Sequence, residues 1–164
     1  MRNSEPHDRL VSEFADLVNS DDSQFNLSSA ALLIAKENNP GLETDLYERE
    51  LSRLGNGLVE AIHLDTLRYN ARRIIRSMSV FLFRECGFVP DLESPDDPLN
   101  IYLDTMLDRK RGVAISLTLL YCDLGRRAGL DIRPVGLPGN MICRFYPSVP
   151  ENDLEPEASE ILID

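Results

Sequence analysis

Between Asp8 and Asn19 the apolar residues Leu10, Val11, Phe14, Leu17 and Val18 recur at steps of three and four, which places them on one face of an amphipathic helix. A second helix follows from Leu27, Ala30, Ala31, Leu33, Ile34 and Ala35, with Asn26 or Ser28 as its cap and Asn38-Asn39-Pro40-Gly41 as its stop. A third runs from Thr44 to Leu54, where Gly55-Asn56-Gly57 reads as a break. From about Glu60 to Cys86 the residues Ile62, Leu67, Ile74, Ile75, Met78, Phe81 and Leu82 extend a long helical pattern that Gly87 ends. The first half of the chain is thus predicted to be all helical.

The pattern changes in the second half. Val89 to Pro98 is rich in proline and carboxylates and reads as a solvated surface connector, after which Ile101 to Asp108 gives a short helix with Asn100 placed to cap it. Val113 to Ala128 is apolar on most sides, as a buried helix is, and Gly129 terminates it. Ile132–Leu137, Met141–Tyr146 and Glu160–Asp164 are short runs rich in β-branched and aromatic residues, separated by Pro138-Gly139 and by an acidic loop from Glu151 to Glu157. They are predicted strands.

At 164 residues the chain suits one globular unit, large enough to bury roughly 70% of its unfolded surface without staples. A formal net charge of −11 repels a phosphate backbone, so nucleic acid is not an expected partner. No apolar run is long enough to cross a bilayer and the N-terminus lacks a secretory pattern, so the expected setting is cytoplasmic, with no membrane partner. Cys86, Cys122 and Cys143 are too widely spaced for a disulfide framework or zinc knuckle, and all three are expected to be reduced and mostly buried, with Cys143 on the strand face opposite Asn140. His7 and His63 form no ligand pair, Asp91, Glu93, Asp96 and Asp97 lack a calcium-loop pattern, and neither a metal nor a cofactor is expected.

Three segments are distinctive: Asp97-Pro98-Leu99-Asn100-Ile101-Tyr102-Leu103, then Leu107-Asp108-Arg109-Lys110-Arg111-Gly112-Val113-Ala114-Ile115-Ser116-Leu117, then Gly136-Leu137-Pro138-Gly139-Asn140. Together they resemble the transglutaminase-like (papain-like) superfamily. More narrowly they resemble its bacterial branch with an N-terminal helical region and, often, tetratricopeptide repeats after the core. Ala30-Ala31-Leu32-Leu33-Ile34-Ala35-Lys36-Glu37 followed by Pro40 extends the likeness upstream. The resemblance implies an α/β (α+β) fold, with a helical region over 1–90 and a core over 91–164 made of one buried helix against a small antiparallel sheet. Both halves form one globular unit. The family core continues further, so the chain reads as truncated at its C-terminus.

Catalytic members carry a cysteine at the start of the core helix, a histidine on the next strand and an aspartate on the strand after. The helix dipole favours thiolate, the imidazole takes the proton and the carboxylate orients the imidazole. Matching Arg111-Gly112-Val113 puts the nucleophile position at Ala114, and matching Pro138-Gly139 puts the base position at Asn140; Asp164 alone keeps the family's residue. A methyl cannot attack a carbonyl, and an amide does not titrate near neutral pH. The expected function is therefore a non-catalytic binding or regulatory module for a protein or peptide, with a C-terminal repeat region of the same protein as one candidate partner. The alternatives are a hydrolase or acyltransferase acting on amides with an unorthodox residue set, and a structural domain that presents repeats. Ser116, Asn100, Tyr102 and Arg111 are the further cleft candidates. Arg109, Lys110 and Arg111 form a basic cluster suited to an acidic partner, or to complementing the negative end of the short helix.

Overall fold

The computed structural model describes residues 4–20, 26–63, 71–147 and 161–163. Among the described residues the first half holds four helices, α1 (Ser4–Val18), α2 (Leu27–Asn38), α3 (Thr44–His63) and α4 (Ala71–Ser79), the last running into a π-helical turn over Val80–Glu85. Helix α1 packs on α2. Leu10, Phe14 and Leu17 are half-buried whereas Val11 and Val18 are exposed, so the five-residue apolar face is only partly covered. Of the two cap candidates, Asn26 is the cap: its Oδ1 accepts the Ser29 N–H at 3.3 Å. Ser28 lies inside the helix instead, buried, with its hydroxyl 3.0 Å from Asp123 Oδ1.

The expected break at Gly55-Asn56-Gly57 does not exist, because α3 runs unbroken to His63. These glycines serve close packing. A Cβ on Gly55 would lie 3.1 Å from the Arg127 side chain, and one on Gly57 would lie 3.0 Å from the Phe81 ring. The helical cost of about 1 kcal/mol per glycine is accepted where a neighbouring side chain fills the space of the missing methyl.

The acidic connector is also more ordered than a solvated loop. Val89–Pro90 (β1) pairs in parallel with Arg111–Gly112 (β2), through Val89 N–H to Lys110 O and Asp91 N–H to Gly112 O, both 2.9 Å. A 3₁₀ turn at Pro98–Ile101 then leads into α5 (Leu103–Arg109). Asn100 does not cap that helix: it sits within the 3₁₀ turn, where Asp97 provides the cap by accepting the Leu99 N–H at 2.9 Å.

Helix α6 (Ala114–Arg127) packs on an antiparallel sheet of order β3-β4-β5, formed by Asp131–Leu137, Asn140–Tyr146 and Ile161–Ile163. Leu137 pairs with Asn140 across the Pro138-Gly139 turn, where Gly139 has φ of +74°. One apolar cluster joins the helical half to this layer, with Leu32, Leu51, Leu58, Met78 and Leu82 continuous with Leu103, Leu124, Ile132 and Phe145. Beside it Arg127 bonds Asp123 at 2.6 Å, Glu48 at 2.9 Å and Ser52 at 3.0 Å, linking α6 to α3, while Ser28 links Asp123 to α2. The mixed helix-and-sheet class with a helical N-terminal half is as the sequence implies.

Candidate functional site

The N-terminus of α6 rests on a buried polar scaffold. Ser116, in the first turn, accepts the Val113 N–H at 3.1 Å and donates its one hydroxyl proton to Asn100 O at 2.8 Å, in preference to the longer contact with Val113 O. It is fully buried, as is Asn100. The Asn100 amide donates to Asp91 Oδ2 at 3.0 Å and to Ser94 O at 2.8 Å. Asp91 Oδ1 accepts the backbone N–H groups of Glu93 and Ser94 at 3.1 and 3.0 Å. The Ser94 N–H, the Asn100 amide and the Glu93 N–H hold the Asp91 carboxyl below the usual carboxylate range, against a smaller opposing effect of desolvation, and Arg111 adds to the lowering. Gly112 makes this closeness possible, since a Cβ there would collide with Ser116 Oγ and lie 2.6 Å from Met106 Cγ.

Above the scaffold, Ala114 is the first residue of α6 and is exposed; Asn140 is the first residue of β4 and is also exposed, with Oδ1 accepting the Met141 N–H at 2.8 Å. Helix and strand run alongside each other. Thr118, one turn beyond Ala114 on the same helical face, donates to Met141 O at 3.3 Å, and a turn further Cys122 Sγ lies 3.8 Å from Cys143 Sγ. Both thiols are buried, and Cys143 faces inward while Asn140 is exposed, as strand alternation predicts. Helical period and strand alternation turn both thiols inward, but neither gives the register that makes them neighbours, so their mutual contact is not legible in the sequence.

Tyr102 is half-buried at the start of α5 and makes no side-chain cap bond. The basic cluster already has carboxylate partners within the chain: Arg109 with Asp97 at 2.7 Å, Lys110 with Glu50 at 3.6 Å and Arg111 with Glu93 at 2.9 Å. Lys110 also lies 4.2 Å from the centroid of the Phe88 ring. Asp164, the His63 side chain and the acidic loop 151–157 lie outside the described residues. Among the described residues no group of three or more His, Cys, Asp or Glu side chains is arranged to hold a metal, and no helix is long and apolar enough to cross a membrane.

Several known proteins are similar to this chain. A Xylella fastidiosa protein named UPF0162 protein is 31% identical over 139 residues, covering 83% of this chain and 47% of its own length. The Vibrio cholerae protein of the same name is 30% identical over 124 residues, covering 75% of this chain and 44% of its own. Human F-box only protein 21 is 27% identical over 73 residues, or 44% of this chain and 12% of that protein. The chain thus spans about half the length of the bacterial relatives it matches. No solved structure matches it. The family model of the transglutaminase-like superfamily matches residues 45–164, from the start of α3 through α6 and the sheet, and the chain belongs to that superfamily.

Proposed function

We propose that this domain is a non-catalytic member of its superfamily and binds a protein or peptide at the vacated cleft around Ala114, Asn140 and Asp164. The observation that carries the reading is the state of Ser116, the nearest hydroxyl to the nucleophile position: it is fully buried and its proton is committed to Asn100 O. A nucleophile needs a base within reach and an open approach to substrate. Cys122 and Cys143, the thiols on the elements that flank the cleft, are buried against each other. Exposed Ala114, Ile115, Asn140 and Leu137 leave a surface of mixed apolar and amide character on which an extended peptide can lie. The 73-residue match to a protein of which it forms 12% fits a module used within larger chains.

The test combines a selection and an assay. Peptides enriched from a displayed library on the wild-type protein are expected to lose binding to Ala114→Arg, which fills the cleft without touching the core. Incubation with a glutamine peptide and a primary amine is expected to give no hydrolysis or transamidation beyond that of a buffer blank. Turnover that persists in repurified protein and disappears in Asn140→Ala would instead establish the amide-hydrolase or acyltransferase reading.

A further inference from the structure

We infer that Cys122 and Cys143 form an oxidisable dithiol, which hydrogen peroxide converts into a disulfide joining α6 to β4. Their sulfurs are 3.8 Å apart, in van der Waals contact, on a helix and the strand it packs against. The Cys143 thiol also lies 4.0 Å from Thr118 O, one helical turn before Cys122, so the pair occupies a single seam between helix and strand. Disulfide formation requires the sulfurs to approach to about 2.05 Å, a movement that rotation about the side-chain χ angles supplies in part. Cys86, the third thiol, lies at the end of the π-helical turn.

The two sulfurs are not equivalent. A hydrogen bond from Cys122 holds the Cys143 thiol below the ordinary cysteine range, with Thr118 adding to this and burial opposing it. Cys122 is pushed far up, by its bond to Cys143 and then by burial. Either sulfur can serve as the attacking thiolate with the other as the resolving thiol, and the direction of these shifts favours Cys143 as the attacker. In the first step the Cys143 sulfur attacks one peroxide oxygen; an S–O bond forms, the O–O bond breaks, and the departing hydroxide leaves as water with the proton of the Cys143 thiol. In the second the Cys122 sulfur attacks the Cys143 sulfenic acid; the S–S bond forms, the S–O bond breaks, and hydroxide takes the Cys122 proton to leave as a second water. Two thiols lose two electrons and one peroxide gains them.

Burial makes the pair selective for oxidants of near-water size, since both residues are almost inaccessible. The product would clamp β4, which begins at Asn140, to the helix that begins at Ala114, and so fix the spacing of the two elements. It does not depend on what that cleft binds.

The experiment treats the intact, folded chain with hydrogen peroxide and separately with oxidised glutathione. It then quenches, unfolds the protein in denaturant, counts free thiols and maps peptides without reduction. With peroxide the count is expected to fall from the three free cysteines of the native chain to one, with a Cys122–Cys143 linked peptide and unmodified Cys86. With glutathione disulfide the folded protein is expected to keep its inner thiols and show no Cys122 or Cys143 adduct. Cys122→Ser, whose hydroxyl keeps a hydrogen-bond donor beside Cys143, should trap Cys143 as a sulfenic acid that dimedone labels once the protein is unfolded, provided the variant retains the wild-type circular dichroism. Peroxide that leaves all three thiols free, or oxidises Cys143 to sulfinic acid in the wild type without the cross-link, overturns the proposal, and neither result requires a variant that folds.

Discussion

Asn100 shows how one residue organises the approach to α6. Its side-chain amide reaches Asp91 and Ser94 in the acidic connector, and its main-chain carbonyl receives the Ser116 proton, so a single buried residue ties together connector, 3₁₀ turn and core helix. Asn100→Ala removes the amide, strands the Ser94 carbonyl and leaves a void, at an expected cost of about 2 kcal/mol in urea unfolding at neutral pH. The pH dependence follows from Asp91. Its carboxyl is held below the ordinary range in the folded state, so the stability it contributes is fully present above that range and fades as pH falls through the lowered value. The penalty for Asn100→Ala should therefore be smaller at about pH 3 than at about pH 7, because the variant has less of this carboxylate stabilisation to lose. A penalty equal at both pH values would mean that the Asp91 carboxylate draws no stability from the Asn100 amide. The sequence signalled Asn100 through its motif and suggested a cap; its true partner lies nine residues earlier in the connector, a contact that no local pattern encodes.

Elements were legible where period and punctuation agreed. The apolar run from Val113, stopped by Gly129, gave α6 to within one residue at each end, and alternation with Pro138-Gly139 gave the β3–β4 hairpin. Glycine misled where it served packing instead of turning the chain. At Gly55 and Gly57 the signal for a break was the signal for the approach of Arg127 and Phe81, which comes from elements distant in sequence. Gly112 has both characters: it ends β2, and the space of its missing methyl is taken by Ser116 and Met106. Gly112→Ala is expected to destabilise by about 1–3 kcal/mol through overpacking, and to expose the first turn of α6 to faster amide hydrogen exchange. Wild-type stability together with unchanged exchange in that turn would mean that the scaffold yields without cost.

At the scale of the molecule, the helical half and the sheet layer are joined by a shared apolar cluster and by the Asp123–Arg127–Glu48 group at its edge. Asp123 is buried and keeps Arg126 and Ser28 as partners when Arg127 is removed. Arg127→Ala should accordingly cost about 3 kcal/mol, the low end for stranding a buried charge, in a single cooperative urea transition. A biphasic transition would mean that the two halves unfold separately. Charge, length and class were open to sequence reading because they are sums over the chain, whereas the state of the cleft depends on which groups face each other. The reading we propose is that the fold keeps the geometry of a thiol site from which the thiol and base are missing. Iodoacetamide alkylation rates against pH for Ala114→Cys, Asn140→His and the double variant, with Asp164 retained and the native thiols as internal background, test this most directly. Ala114→Cys alone should show a thiol of near-ordinary reactivity and Asn140→His no new reactivity, while the double variant should alkylate faster at lower pH than either, as a coupled thiolate–imidazole pair does. Identical profiles for Ala114→Cys and the double variant would show that these positions do not face each other, contradicting the account.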